Sequence, residues 1–200
     1  DYLQTEWPEL DVYLTSVTDH YSTASICGPN SKKILKKLFP NKDFSDEAFP
    51  HMSYQDAIID KIECRIMRIS FTGELSYEIN IESKYGKSLW ENCIAAGEEY
   101  KITPYGTETM HLLRAEKGFI IVGQDTDGTM TPIDLQMDWI VSKKKYDFIG
   151  KRSLYRSDTI REDRKQLVGL LTDDPNEILE EGAQIVSELD KKPVEMIGHV

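Results

Sequence analysis

Apolar and polar residues alternate along DVYLTS (11–16), and the spacing predicts a strand with Val12 and Leu14 on one face. A second strand is expected over Tyr21–Cys27, with Asp19-His20 as the turn between them. Gly28-Pro29-Asn30-Ser31 then opens a helix, SKKILKKLF, in which Ile34, Leu35 and Leu38 share a face. A polar loop is expected from there through Pro50. Alternation returns at Ile62–Ile66, in a strand expected to run toward Phe71. It is strict over 75–81: Leu75, Tyr77, Ile79 and Ile81 fall together, and Ser76, Glu78 and Asn80 fall on the opposite face. Residues 84–100 have helical spacing, with Leu89, Trp90, Cys93 and Ile94 inward. Gly97 extends that face without a side chain, which marks either a weak point or close packing. A further helix, 107–117, ends at Gly118, the residue type favoured just past a helix C-terminus.

The order strand, strand, helix, strand, strand, helix predicts an α+β fold, an antiparallel sheet with helices on one face. From Gln166 the pattern changes to strand spacing alone, in QLVGLL, AQIVSEL and EMIGHV. The first domain is therefore expected to span 1–164, and 165–200 to hold the first strands of a β-rich second domain. Residue 1 is Asp and EMIGHV runs to the last residue without a cap, so a longer native chain is expected.

Composition narrows the function. The 200 residues are 40% hydrophobic and 30% charged, a globular balance with enough length for a real core. The net charge of −11 repels nucleic acid and anionic membranes, so neither is an expected partner. Cys27, Cys64 and Cys93 are far apart and read as reduced thiols of a cytoplasmic protein. The four histidines are equally scattered, and no metal is expected. No stretch approaches the ~20 apolar residues of a membrane span, and no signal peptide opens the chain. GFIIVG (118–123) lacks the GKS or GKT ending of a phosphate loop, and no GxGxxG occurs, so no dinucleotide is expected here. The basic tract of 143–165 is interleaved with acids. It reads as a solvated surface, a docking face for another subunit, or an attractor of anionic ligands.

Two residues stand out. Glu78 either faces water or lines a pocket, where its carboxylate accepts two parallel hydrogen bonds from a flat heterocycle with adjacent N–H donors, the edge that pterins and guanines present. Arg114, near the end of the LLRAEKG helix, has no acidic residue three or four positions away. It reads as a solvated cation favouring the helix dipole, or as a fixed cation for an anionic ligand tail.

FTGELSYEI (71–79) resembles the TGExGYE motif of the glycine-cleavage T-protein, or aminomethyltransferase, superfamily. HLLRAEKGFIIVGQD (111–125) resembles its LRLEAG…GQ segment, ICGPNSKKIL (26–35) its GPN helix start, and DFIGKRSL (147–154) its DFIGREAL stretch. The motifs stand in family order over most of the chain. Within the superfamily, EKGFIIVGQDTDGT, TPIDL and KKKYDFIGKRSL are similar to the folate-binding portion of the α subunits of heterotetrameric sarcosine oxidases.

This resemblance implies a ferredoxin-like folate domain of T-protein type followed by the start of a β-barrel-like C-terminal domain. It implies tetrahydrofolate as the ligand and the other oxidase subunits as partners. Sarcosine oxidised at a flavin elsewhere would pass its one-carbon unit to tetrahydrofolate here, giving 5,10-methylenetetrahydrofolate and glycine, with hydrogen peroxide from flavin reoxidation. Flavin and NAD sites are expected outside this chain. By the resemblance Glu78 is the pterin-recognising glutamate, Arg114 a ligand contact, and Tyr77 and Phe71 aromatic pocket walls. The superfamily's catalytic aspartate falls upstream of residue 1, so no catalytic residue is expected here and the chain alone is expected to be inactive. Two departures, Val122 for the usual Tyr before GQ and Ser76 for the Gly of GYE, point to the oxidase branch. A stand-alone transferase or folate-dependent demethylase and a non-catalytic folate-binding module are the alternatives.

Overall fold

The strict alternation over 75–81 becomes a strand around which a sheet assembles. The computed structural model describes residues 2–200. In chain order the first strands are β1 (Tyr21–Cys27), β2 (Tyr54–Ile59), β3 (Ile62–Met67) and β4 (Ser76–Glu82). They form an antiparallel sheet in the order β1-β4-β3-β2. Helices α1 (Tyr2–Glu6), α2 (Ser31–Leu38), α3 (Gly86–Gly97) and α4 (Thr107–Glu116) accompany it. From β1 to α3 the order is β-α-β-β-β-α, a meander of β2, β3 and β4 to which β1 returns. This departs from the β-α-β-β-α-β order of a ferredoxin-like unit.

One face of the sheet is the core. Ile26, Ala57, Ile59, Cys64, Ile66, Tyr77, Ile79 and Ile81 are buried there against Ile34 and Leu35 of α2 and Leu89 and Cys93 of α3. The 39–50 segment is not simply polar. Phe39, Phe44 and Phe49 are buried, and the Phe44 and Phe49 rings lie 6.2 and 5.8 Å from that of Tyr77. Their spacing of five matches neither the helix nor the strand period, so alternation could not reveal them. Burying each contributes roughly 1.5–3 kcal/mol.

Four other sequence expectations change. DVYLTS forms no strand: residues 11–16 join no sheet among the described residues, and Tyr13 and Leu14 are 85% and 70% exposed. β2 lies where no strand was expected, because its inner-face residue Gln55 breaks the apolar alternation. β3 stops at Met67 and does not continue to Phe71. Trp90 is 51% exposed, since the inward stripe of α3 runs through Leu89, Cys93 and Gly97. Gly97 marks close packing: a Cβ there would lie 2.6 Å from Cβ of Ile102.

The chain divides into two compact units at Phe119/Ile120. The expected boundary at 164/165 falls inside the second unit, where both of its sides are tied to one turn. Arg164 donates to the Asp134 carboxylate at 2.6 and 2.8 Å, and the Leu167 amide donates to the Asp134 carbonyl at 2.9 Å. Arg164 is thus largely buried, unlike the solvated tract expected around it. The guanidinium and the Thr131 hydrogen bonds hold the Asp134 carboxyl down at about 2. QLVGLL is not a strand. Strands β5 (Gln184–Val186) and β6 (Met196–His199) form a two-stranded antiparallel hairpin.

Candidate functional site

The alternation of β4 that buries Tyr77 sends Glu78 to the sheet's outer face. There it lies between Ser25 of β1 and Met67 of β3, its register partners. Glu78 is half-buried, and burial raises its pKa above the usual carboxylate value. Among the described residues no cation or donor offsets that burial. Its neighbours Ser25 and Ser76 are small, with hydroxyl oxygens 3.4 Å apart. A partly desolvated acceptor with small neighbours and no donor of its own fits an edge bearing two adjacent N–H groups, the pterin edge of a folate included.

The Thr-Gly-Glu turn before β4 joins the strand to α4. Gly73 has φ +76°, open to glycine at no cost, and a Cβ there would strike Cγ of Lys117 at 2.6 Å. Lys117 lies across the turn and pairs with Glu74 at 3.2 Å. α4 then ends in a Schellman motif: the Gly118 amide donates to the Ala115 carbonyl and the Phe119 amide to that of Arg114, both at 2.9 Å, with Gly118 at φ +72°.

Arg114 is buried, not solvated, and its Nη1 donates to the Phe119 carbonyl at 3.0 Å. That bond ties it to the loop that ends its own helix. Tyr77 is fully buried in the aromatic core on the face opposite Glu78, so the expectation of a pocket wall is corrected: the strand's two-residue period sends it inward. Phe71 is half-exposed and leans edge-on to His111 at 6.3 Å. Val122 is exposed.

Sequence reasoning missed Tyr105. Its hydroxyl lies 3.2 Å from Sγ of Cys27. Burial, then the Cys27 contact, pushes its pKa up to about 12, partly opposed by the nearby Ser25 hydroxyl. The PYG segment that carries it has no periodicity to report which way its ring points. A cavity of about 1040 Å³ also opens on this unit, lined among others by Thr23, Arg65, Met67 and Asn80 but not by Glu78, Arg114 or Phe71. The cavity meets the face that carries Glu78 at Met67, its register partner. Among the described residues no cluster of His, Cys, Asp and Glu could hold a metal ion, and no helix is long and apolar enough to cross a membrane.

An antiparallel sheet helix-covered on one face, with a desolvated carboxylate on the other, defines an α+β domain with one polar working face. The chain belongs to the GCVT N-terminal domain family, whose model matches residues 1–145. It is 58% identical over 189 residues to the sarcosine oxidase subunit alpha of Corynebacterium sp. (strain P-1), which covers 94% of this chain and 19% of that protein. It is 38% identical over 186 residues to the subunit alpha of Rhizobium meliloti (strain 1021), covering 92% of this chain and 19% of that relative. An aminomethyltransferase of Chlorobium limicola is 34% identical over 142 residues, 71% of this chain and 39% of that enzyme. The chain thus spans about a fifth of the length of the sarcosine oxidase relatives.

Proposed function

We propose that this chain is the tetrahydrofolate-binding portion of a sarcosine oxidase α subunit. The observation that carries the reading is Glu78, a half-buried carboxylate that no internal donor offsets, on the open face of a GCVT-family sheet. Glu78 accepts two N–H bonds from the pterin edge and fixes the ligand in plane. Arg114 contributes a buried cation beside the same turn. One-carbon transfer to the bound folate yields 5,10-methylenetetrahydrofolate and glycine. The flavin that oxidises sarcosine belongs to parts of the enzyme beyond this chain, as do the partner subunits. In this reading the fold is of T-protein type and the 184–200 hairpin starts the barrel-like C-terminal domain. The oxidase is favoured over a stand-alone aminomethyltransferase because that similarity is higher and extends over 94% of the chain rather than 71%.

Calorimetric titration with folinic acid, a stable reduced folate, tests this. Glu78→Gln is expected to weaken binding by ~2–3 kcal/mol, because one acceptor oxygen becomes a clashing donor and the charge assistance is lost. That is on the order of a hundredfold in affinity, and a loss below about threefold would remove Glu78 from the site.

A further inference from the structure

We infer that Tyr105 is the aromatic wall of the Glu78 site, its ring covering one face of the heterocycle whose edge the carboxylate holds. The inference rests on the folate reading above and adds a residue that reading does not contain.

A carboxylate grips only an edge. Two parallel hydrogen bonds fix direction in the plane, but they leave both faces of a flat ring uncovered. None of the nearest neighbours of Glu78 on its face can cover them with an aromatic surface: Ser25 and Met67 lie across the strands, Ser76 and Asn80 along its own. Tyr77, adjacent in sequence, is on the far side of the sheet.

Tyr105 reaches this face from the segment between α3 and α4. Its hydroxyl accepts from Sγ of Cys27 at 3.2 Å and lies near enough to the Ser25 hydroxyl to feel it. Ser25 stands directly opposite Glu78, and opposed side chains in an antiparallel pair are roughly 5 Å apart at Cβ. Cys27, which holds the phenol oxygen, stands diagonal to Glu78 on the same face, where side chains are roughly 7–8 Å apart. The side chain as a whole is 38% exposed, so it is anchored yet open to a ligand. A phenol that titrates at about 12 also stays neutral beside an ionised Glu78 at neutral pH.

The other aromatic residues fit less well. Tyr54 stands beyond Met67, two strand spacings or roughly 10 Å from Glu78, and its ring already carries the Arg65 guanidinium at 4.5 Å. Tyr21 pairs with Glu82, four residues and roughly 13 Å along the sheet. Phe71 is engaged with His111.

The experiment is a folinic acid titration of the full chain, read by calorimetry and by the ligand's near-ultraviolet absorbance, for the unaltered protein, Tyr105→Phe, Tyr105→Leu and Glu78→Gln. Loss of one aromatic stacking contact is expected to weaken binding about tenfold in Tyr105→Leu, while Tyr105→Phe stays within about threefold of the parent. The absorbance change from stacking is expected with the parent and Tyr105→Phe and to vanish with Tyr105→Leu, a signature that a purely structural role would not produce. Thermal melts confirm that each variant is folded. Were Tyr105→Leu misfolded, the comparison of parent absorbance with and without folinic acid would still decide: no stacking change means no wall. Binding that depends on Glu78 but is unmoved in Tyr105→Leu overturns the inference alone. No binding by the parent, or binding indifferent to Glu78→Gln, overturns the folate reading and the wall with it.

Discussion

Glu78 is held where burial favours its neutral acid, and that sets its pH behaviour. A carboxyl whose folded pKa lies above the unfolded value binds its proton more tightly when folded. Burial therefore costs the folded state stability once pH rises above the unfolded value, and the cost disappears as pH falls below it. Donors on a ligand reverse the preference, because they need the ionised oxygens. Folinic acid affinity is accordingly expected to fall as pH drops through the raised pKa, in the window just above the ordinary value of 4.5. In Glu78→Gln the same titration series should be flatter, since the group that titrates is gone. Parallel profiles for the two proteins would show that another group governs binding. At this scale the sequence was informative about Glu78, which sits in a recognisable motif on a strictly alternating strand. It was silent about Tyr105, which sits in an irregular segment before α4.

The β2–β3 hairpin shows what a local pattern omits. Ile59 and Ile62 are cross-strand partners, so the loop is the two residues Asp60 and Lys61, with φ of +50° and +67°. Two-residue hairpin loops of this kind favour Asn-Gly or Asp-Gly because both positions need positive φ. Lys61 occupies the glycine position and bears the left-handed penalty of a side chain there. Lys61→Gly is therefore expected to stabilise the chain by about 1 kcal/mol, less the added entropy of a glycine in the unfolded state. Urea denaturation measures this, and a destabilisation would mean that Lys61 makes a compensating contact. Without the usual turn residues the hairpin gave no signal in the sequence, and β2 went unseen. The Gly118 stop of α4, whose residue type does match its conformation, was visible beforehand.

Across the whole molecule, the core gathers in one of two compact units, the unit that also carries all three cysteines. Burial pushes the thiols of Cys64 and Cys93 up to about 11, which keeps them protonated and sheltered at ordinary pH. Cys27 is partly exposed on the outer face. With an aromatic disulfide reagent at pH 8, at most one thiol of the native chain is expected to react promptly, and three after unfolding in urea. Prompt reaction of two or more would mean that the sheet opens far more readily than its packing implies.

The order of residues alone specifies the α+β class, the alternation that sends Tyr77 inward and Glu78 outward, the helices α2 to α4, and the family. Each of these is written in short-range periodicity or in a contiguous motif. Long-range packing settled the rest: that Phe44 and Phe49 complete the core, that β1 returns to β4, that Arg164 leaves a basic tract to bind Asp134, and that Tyr105 meets Cys27. Those pairings join residues from 28 to 78 positions apart in the sequence. Contacts at such separations are fixed by how strands register and which faces need covering, and no local pattern of apolar and polar residues records them.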